Sequence, residues 1–539
     1  MGNGIERRDF LKVLGVSGAG AAMTACGGTR AAERLIPYVV QPEDIVPGVA
    51  TWYRTTCREC SAGCGMDIRT REGRAVKAEG NPLSPISHGA LCARGQASLQ
   101  GLYDPDRVPG PRIREGEGWA AIGWDAAEQR LAEALTQHRG RTVLLTRQDT
   151  GTMERLLDEF AAALGIERVR YEPFAYEPIR TANRMLFGVD AVPVHDFAGA
   201  DVVLTFGADF LETWLSPIDY AHGFVQGHAY REGRRGHLVS IAPHQSLTDM
   251  NADEWLPIRP GTEHRVALAL ARIIADETGQ TAAAPPMLAS VNIDEVAQEA
   301  GVSAERLREI ADAFANGGRS LAVGPGIAST NGAATAIAAS VALLNAVAGN
   351  IGRTVSFAQQ ETPASGAPGS SYAQMQQFVD RMRSGGVGAL LVHGPNPLYS
   401  LPGQAAVADA LGGVDFIASF SPYLDETSER AHLLMPDHHF LESWGDAEPR
   451  TGIAALVQPV MTPVFDSKQT GDVLLGVARR TGATLPTAAP TFYDYLRERW
   501  TNELYPETGG GAPVEEWWTG ALETGFVLTP AATAVAAAP

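Results

Sequence analysis

The sequence predicts an α/β protein: a small cysteine-bearing N-terminal module followed by two doubly wound, mostly parallel α/β domains. The first observation is Cys57-x2-Cys60-x3-Cys64, with Cys92 following after 27 intervening residues. The second is a long series of short apolar runs alternating with helical stretches from Pro111 onward, the pattern of parallel strands and crossover helices. The third is a content of 58 glycines and 34 prolines, which suits many turns between strands rather than a helical bundle.

Taken in order, residues 1–32 read as an export signal. Glu6-Arg7-Arg8-Asp9-Phe10-Leu11-Lys12 precedes the apolar, small-residue run Val13 to Ala25, too short for a permanent membrane anchor. Paired Arg7 and Arg8 before Phe-Leu-Lys resemble a twin-arginine signal, which exports folded proteins and suits a metal centre inserted before export. Met23-Thr24-Ala25-Cys26 resembles a lipoprotein processing site and makes Cys26 the expected lipid anchor. Glu33 to Gly48 is Pro-punctuated and reads as extended.

Residues 47–110 form the cysteine module, with a hairpin expected from Met66 to Gly80, turning at Glu72-Gly73. Three thiolates on one loop and a fourth from a distant segment can wrap one [4Fe–4S] cluster. Gly63 and Gly65 flank Cys64, where the chain must bend closely around inorganic sulfide. Zinc, disulfides and a loop carrying no cluster compete with this reading. Zinc ligands come more often as two Cys-x2-Cys pairs or with histidines, and no histidine lies in the loop.

Buried-strand runs are Thr142 to Thr146, Asp201 to Phe206, His237 to Ile241, Ser320 to Val323, Ala389 to His393, Phe416 to Ser419 and His432 to Met435. Helices are expected over Trp124 to Arg139, capped by Asp125, over Arg265 to Asp276 and over Ala334 to Ala348. We divide this region into one discontinuous α/β domain, 111–140 with 318–480, and a second over 141–317. Residues 481–539 form a short C-terminal segment with an Ala-rich tail that reads as disordered. The loops at Gly207-Ala208-Asp209, Gly324-Pro325-Gly326 and His393 to Pro397 end strands and could turn amides toward a phosphate, each a weak signal alone. His438, His439 and Glu442 read as polar loop contacts rather than catalysts.

The 43 basic against 62 acidic residues, a formal net charge of −19, argue against a nucleic-acid partner, which needs clustered Lys and Arg. After the signal, no stretch of 18 or more apolar residues occurs.

The cysteine spacing followed by Arg94-Gly95 resembles the iron–sulfur module that opens the bis-molybdopterin, DMSO reductase-type oxidoreductases. Leu256 to Thr262, Leu344 to Arg353, Gly394 to Pro397 and Thr427 to Gly445 resemble further stretches of that family, in family order. The resemblance implies one [4Fe–4S] cluster on Cys57, Cys60, Cys64 and Cys92, with Arg94 as a basic electron-transfer residue beside it, and a bis-pterin crevice between the α/β domains. The departures bear on chemistry. Catalytic members supply a Cys, selenocysteine, Ser or Asp to molybdenum, whereas this chain has no cysteine after Cys92, and the comparable stretch, Tyr171 to Glu177, offers no thiolate or serine. The family's pterin-capping β-barrel is expected to be missing after Arg480.

Leu35 to Asp44, the Cys-Arg-Glu-Cys loop, Gly101 to Arg107 and Asp209 to Trp214 together resemble the molybdopterin-enzyme-like half of the alternative complex III B subunit. That resemblance implies an exported, membrane-associated electron-transfer or scaffold subunit of a quinol-oxidising respiratory complex. Its implied partners are a multi-cluster ferredoxin-like subunit, a multihaem cytochrome and an integral quinol-binding subunit. A molybdenum or tungsten bis-pterin reductase of the polysulfide reductase-like type, and a cofactor-free scaffold, are the two other readings.

Overall fold

The computed structural model of the chain describes residues 46, 48–174, 176–231, 233, 235–278, 286–326, 332–361 and 369–530. Arg7, Arg8, Cys26 and the Ala-rich tail from 531 lie outside the described residues. The cysteine module is an antiparallel sheet of β1 (Thr51–Thr56), β2 (Gly65–Arg71) and β3 (Arg74–Gly80), followed by a helix over Ala93–Leu102. β2 and β3 form the expected hairpin, turning at Glu72 and Gly73. Its apolar core is small. Met66, Ile68, Ala75, Ala78, Ile86 and Leu102 are completed by Leu441, Ile453 and Val460 from the far end of the chain.

The hairpin β4 (Arg112–Glu115) and β5 (Gly118–Ala121) comes next, then β6 (Thr142–Thr146) and β7 (Glu167–Arg170). The chain then departs through β8 (Pro193–His195), β9 (Val202–Thr205), β10 (His237–Ala242), β11 (Glu254–Pro257) and β12 (Ser320–Val323). It returns through β13 (Val355–Gln360) to β14 (Ala389–His393), β15 (Phe416–Ser419) and β16 (Leu433–Leu434). The first sheet has the order β5-β4-β16-β15-β14-β6-β7, parallel from β16 to β7 with the antiparallel hairpin at one edge. The second sheet, β11-β10-β9-β12, is parallel throughout. Outgoing β8 and returning β13 pair antiparallel between them.

The expected partition is corrected by this pairing. Thr142–Thr146 belongs to the first sheet, opposite β14 in the register Leu144↔Leu391, and Ser320–Val323 belongs to the second, opposite β9. A short apolar strand carries no local mark of the sheet it joins: β6 pairs with the nearby β7 but also with β14, and β12 with β9, and these last two partners lie more than a hundred residues away. The expected cap of the helix Trp124–Gln137 is also corrected: Gly123 is the N-cap and Asp125 sits in the first turn, where its charge favours the helix dipole.

Strand alternation makes each sheet the middle of three layers. Leu144 and Leu391 point to the helices Trp124–Gln137, Gly151–Leu164 and Thr470–Thr481, while Val143, Leu145, Leu390 and Val392 point to Tyr372–Arg383 and Gln404–Gly412. In the second sheet Leu204, Ile241 and Ala322 meet the helices Glu263–Thr278 and Ala334–Val347, and Val203, Leu238 and Val323 meet Phe210, Trp214, Tyr220 and Phe224.

The family-like stretch around Asn345 has a structural reading. β12 is an edge strand, and the Asn345 side chain serves as its missing neighbour: the Ala322 N–H donates to Oδ1 at 3.0 Å, and Nδ2 donates to the Ala322 carbonyl at 2.8 Å. Asn350 Nδ2 in turn donates to Asn345 Oδ1 at 3.0 Å. The glycines after β9 and β12 serve close approach rather than a phosphate. A Cβ on Gly326 would stand 1.7 Å from the Gly207 carbonyl oxygen, so the two loops pack directly together.

The last sheet joins β17 (Gly445–Arg450), β18 (Ile453–Val457) and β19 (Phe526–Leu528). It sits against the cysteine module, where the Thr56 hydroxyl donates to the Leu456 carbonyl at 2.9 Å and Gln458 Nε2 donates to the Arg54 carbonyl at 2.6 Å. The segment after 480 carries the helices Phe492–Arg499 and Val514–Thr524, whose Leu496, Trp517 and Trp518, with Trp500, cover Ala454 and Leu456.

One buried ion pair ties the module to the late block. Arg107 Nη2 lies 2.7 Å from Glu442 Oε2 and Nη1 3.2 Å from Oε1. The carboxylate also accepts from the His439 and Val464 N–H groups at 2.9 and 2.8 Å. Glu442 and His439 are therefore structural contacts, as is His438, whose Nδ1 lies 2.7 Å from the Ser467 hydroxyl.

Two stability outcomes follow from these contacts. Asn345→Ala strands a buried N–H and a buried C=O on β12 and should cost about 2–5 kcal/mol in urea unfolding. Arg107→Ala, which leaves Glu442 buried without its partner, should cost about 3–5 kcal/mol, and Arg107→Met with Glu442→Leu much less. Burial opposes ionisation of Glu442, but Arg107 holds its carboxyl below the ordinary value. Its stabilisation is therefore present above the ordinary carboxylate pKa and lost as pH falls through the depressed folded value, a dependence absent from Glu442→Gln.

Candidate metal centre and interdomain cleft

The loop between β1 and β2 carries Cys57, Cys60 and Cys64, and the Cys57 N–H donates to the Cys64 carbonyl at 2.8 Å to close its neck. Gly63 occupies a left-handed conformation, φ 59°, and a Cβ there would stand 2.7 Å from Pro449 Cβ. No other residue fits that bend against β17. Cys92 is the N-cap of the helix Ala93–Leu102, at the positive end of that helix's dipole.

All four cysteines are free thiols, and each lies close enough to the other three for their charges to be felt. Cys57 and Cys64 are buried, whereas Cys60 and Cys92 are half-buried and open on a cleft. Burial pushes the Cys57 thiol up to about 12, opposed by a hydrogen bond from the Glu59 N–H. It also raises Cys60, opposed by the Ala62 N–H and by the Arg94 charge. N–H groups aimed at sulfur are what a cluster-bound thiolate needs once ligation has removed its proton. Among the described residues no three His, Cys, Asp or Glu side chains converge on a single-ion position. Four thiolates that ligate a four-iron core are the donor set of a [4Fe–4S] cluster.

The cleft has a volume of about 520 Å³ and runs between the cysteine module and both α/β domains, at the carboxyl ends of their strands. Arg94, Cys60 and Cys92 line it, and so do Glu172, Phe174 and Tyr176 of the Tyr171–Glu177 stretch. A second cavity of about 350 Å³ shares those three residues and continues past Tyr171, Tyr372 and Pro402. The Leu256–Thr262 and Gly394–Pro397 stretches do not line the main cleft. Asn396 instead accepts from the Thr427 hydroxyl at 2.7 Å, which holds two loops together.

Sequence reasoning did not single out the charges that dominate this wall. Arg58 Nη2 and Arg147 Nε both donate to Asp149 Oδ1 at 2.9 Å. Burial penalises the Asp149 carboxylate, but the two guanidiniums hold it below its ordinary value. Arg180 Nε pairs with Asp190 Oδ1 at 2.9 Å. Arg147 and Asp149 directly follow β6, and a crevice-facing role is readable from that place alone.

Residues 50–104 match the molybdopterin oxidoreductase Fe4S4 domain family, and residues 107–480 match the molybdopterin oxidoreductase family. The chain belongs to the molybdopterin oxidoreductase family. It is 30% identical over 523 residues to the menaquinone reductase, molybdopterin-binding-like subunit, of Nitratidesulfovibrio vulgaris, an alignment covering 92% of this chain and 74% of that one. It is 27% identical to the arsenate respiratory reductase molybdopterin-containing subunit of a Shewanella strain, over 50% of this chain and 33% of that protein. The fold is similar to that of acetylene hydratase from Pelobacter acetylenicus, with a TM-score of 0.70 at 16% identity, covering 89% of this chain and 74% of that one. The α/β architecture behind an N-terminal Fe4S4 domain is thus the fold of this family.

The four thiols, their N–H donors and the bend at Gly63 fit an iron–sulfur cluster. The cleft fits a pair of pterin dinucleotides poorly. Three of its four arginines already serve carboxylates, and Glu59, Glu172, Asp190, Glu212 and Glu361 face the same space that pyrophosphate groups would enter. In the folded, metal-free chain, iodoacetamide should modify Cys60 and Cys92 well before Cys57 and Cys64, as read by peptide mass spectrometry. Equal rates at all four would show the loop to be open.

Proposed function

We propose that this chain is an iron–sulfur electron-transfer subunit of a quinone-linked respiratory complex rather than a molybdenum catalyst. Cys57, Cys60, Cys64 and Cys92 ligate one [4Fe–4S] cluster. When bound, the cluster accepts and donates single electrons at the cleft wall. Arg94, whose charge acts on the Cys60 thiol, favours the more negative reduced cluster. In this reading Arg7 and Arg8 direct export by the twin-arginine route, and Cys26 anchors the chain at the outer face of the cytoplasmic membrane. The complex is of the alternative complex III kind, with a ferredoxin-like multi-cluster subunit, a multihaem cytochrome and an integral quinol-binding subunit as partners. Among the described residues no helix is long and apolar enough to cross a membrane.

The observation that carries the reading is the pairing of a complete four-thiol loop with a cleft that lacks a thiolate for molybdenum. No cysteine follows Cys92, and the Tyr171–Glu177 stretch presents Glu172, Phe174 and Tyr176 to the cleft. The name of the Nitratidesulfovibrio relative, a menaquinone reductase subunit described as molybdopterin-binding-like, supports the quinone link.

Metal analysis of anaerobically isolated protein, with EPR after dithionite reduction, tests it. The expected result is about four irons per chain and no molybdenum, with the cluster signal abolished by Cys60→Ser. Molybdenum near one per chain would overturn the reading in favour of a pterin oxidoreductase with an oxygen ligand. The absence of both metals would leave a scaffold.

A further inference from the structure

The outer face of the Fe4S4 domain's sheet carries a charge opposite to that of the chain as a whole. Residues 47–110 hold eight Lys and Arg against six Asp and Glu, in a chain of formal net charge −19. Strand register sets where those charges stand. Trp52 lies opposite Arg69 and Arg69 opposite Lys77, Arg54 lies opposite Asp67 and Asp67 opposite Glu79, and Arg71 lies opposite Arg74 beside the turn. Directly opposed residues share one face of a sheet. The other face, with Met66, Ile68, Ala75 and Ala78, is buried in the core that contains Cys57 and Cys64.

Only part of this charge is neutralised on the face itself. Arg54 Nε lies 3.3 Å from Asp67 Oδ1, and Lys77 Nζ lies 3.1 Å from Glu79 Oε1. The side chains of Arg69, Arg71 and Arg74, all half-buried, have no carboxylate or hydrogen-bond partner among the described residues. Apolar groups stand beside them. Trp52, across from Arg69, is 52% exposed, and Val46 and Val49 are exposed as well. The Gly48 N–H between those valines donates to Glu72 Oε1 at 3.0 Å, and a Cβ on Gly48 would stand 3.6 Å from Arg71 Nη2. The valines therefore sit at the Arg71 end of the same face.

Resting on the membrane placement proposed above, we infer that this face lies on anionic phospholipid headgroups, with Arg69, Arg71 and Arg74 against their phosphates and Trp52 at the boundary with the acyl chains. Unpaired guanidiniums are attracted to an anionic bilayer, and an indole settles where one end can be apolar and the other wet. Two observations favour a membrane over an acidic protein as the occupant. β1 begins 25 residues after Cys26, the proposed lipid anchor, so that tether ends on the strand that carries Trp52. The rest of the chain, with its excess of carboxylates, is repelled by anionic lipid, which turns this face toward it. Trp52 precedes Cys57 by five residues, so the thiol loop begins no farther than roughly 17 Å from the headgroups.

The test uses the full-length Cys26→Ser protein, which has no lipid tether, and vesicles of phosphatidylcholine alone or mixed equally with phosphatidylglycerol. Co-sedimentation should show binding to the phosphatidylglycerol vesicles at low salt, release at high salt, and no binding to phosphatidylcholine. Replacing Arg69, Arg71 and Arg74 together by Gln should weaken that binding about a hundredfold, and Trp52→Ser should weaken it on its own. The same replacement at the exposed Arg139, Arg308 and Arg383 changes the net charge equally and should leave binding close to that of the parent. Far-UV circular dichroism matching the parent shows that each variant is folded. No binding to phosphatidylglycerol vesicles would overturn the inference and leave the face to an acidic protein. An equal loss in the two triple variants would overturn it too, because net charge rather than this face would then govern binding. Wild type found in the soluble fraction with an unmodified Cys26 would instead overturn the membrane placement on which it rests.

Discussion

The Fe4S4 domain has too little apolar core to hold its own thiol loop, and much of the remaining architecture answers that constraint. A three-stranded sheet with one helix cannot bury enough surface to stand alone. The chain supplies the deficit from its far end. Leu441, Ile453 and Val460 complete the module's core, and the Arg107–Glu442 pair fixes where that core meets the late block. Pro449 on β17 then presses on Gly63 inside the thiol loop, so the position of the C-terminal sheet is transmitted directly to the backbone between Cys60 and Cys64.

A second buried carboxylate locks that sheet to the first α/β domain. Asp446 on β17 accepts from the Thr152 N–H at 2.7 Å, from the Arg499 guanidinium at 2.9 Å and from the Trp500 indole at 2.8 Å. It thereby caps the helix Gly151–Leu164 from outside and fastens the segment after 480 in one place. A carboxylate with this many donors is costly to bury and costlier still to leave unpaired, which gives the junction a single favoured arrangement. The thiol loop, the carboxyl ends of β6 and β7, and the loop after β9 consequently face one another across a cleft of defined shape.

Inside that cleft charge is balanced locally rather than left available. Asp149 takes up both Arg58 and Arg147, and Asp190 takes up Arg180, while Arg450 answers Glu361 behind the wall. A surface prepared for anionic cofactors would keep such cations free. Two cleft arginines act on the thiols: Arg58 on its neighbour Cys57, and Arg94 on Cys60 as well as on Glu59 and Tyr176.

What the sequence determined by itself are the features written locally: the cysteine spacing, the β2–β3 hairpin, the strand runs from Thr142 to Met435, and the family of the chain. Each rests on periodicity, turn chemistry or spacing within a few residues, and the structure places those strands and the hairpin as expected. Tertiary structure alone decided which sheet β6 and β12 join, because parallel partners meet only through long-range hydrogen bonding. It also decided that Asn345 completes a sheet edge, that Arg58 and Arg147 share Asp149, and that the Leu215 N–H donates to the Tyr176 phenol. Apart from the Arg147–Asp149 contact within one loop, those roles join residues far apart in sequence through burial and direction, which the identity of a single residue or its neighbours does not encode.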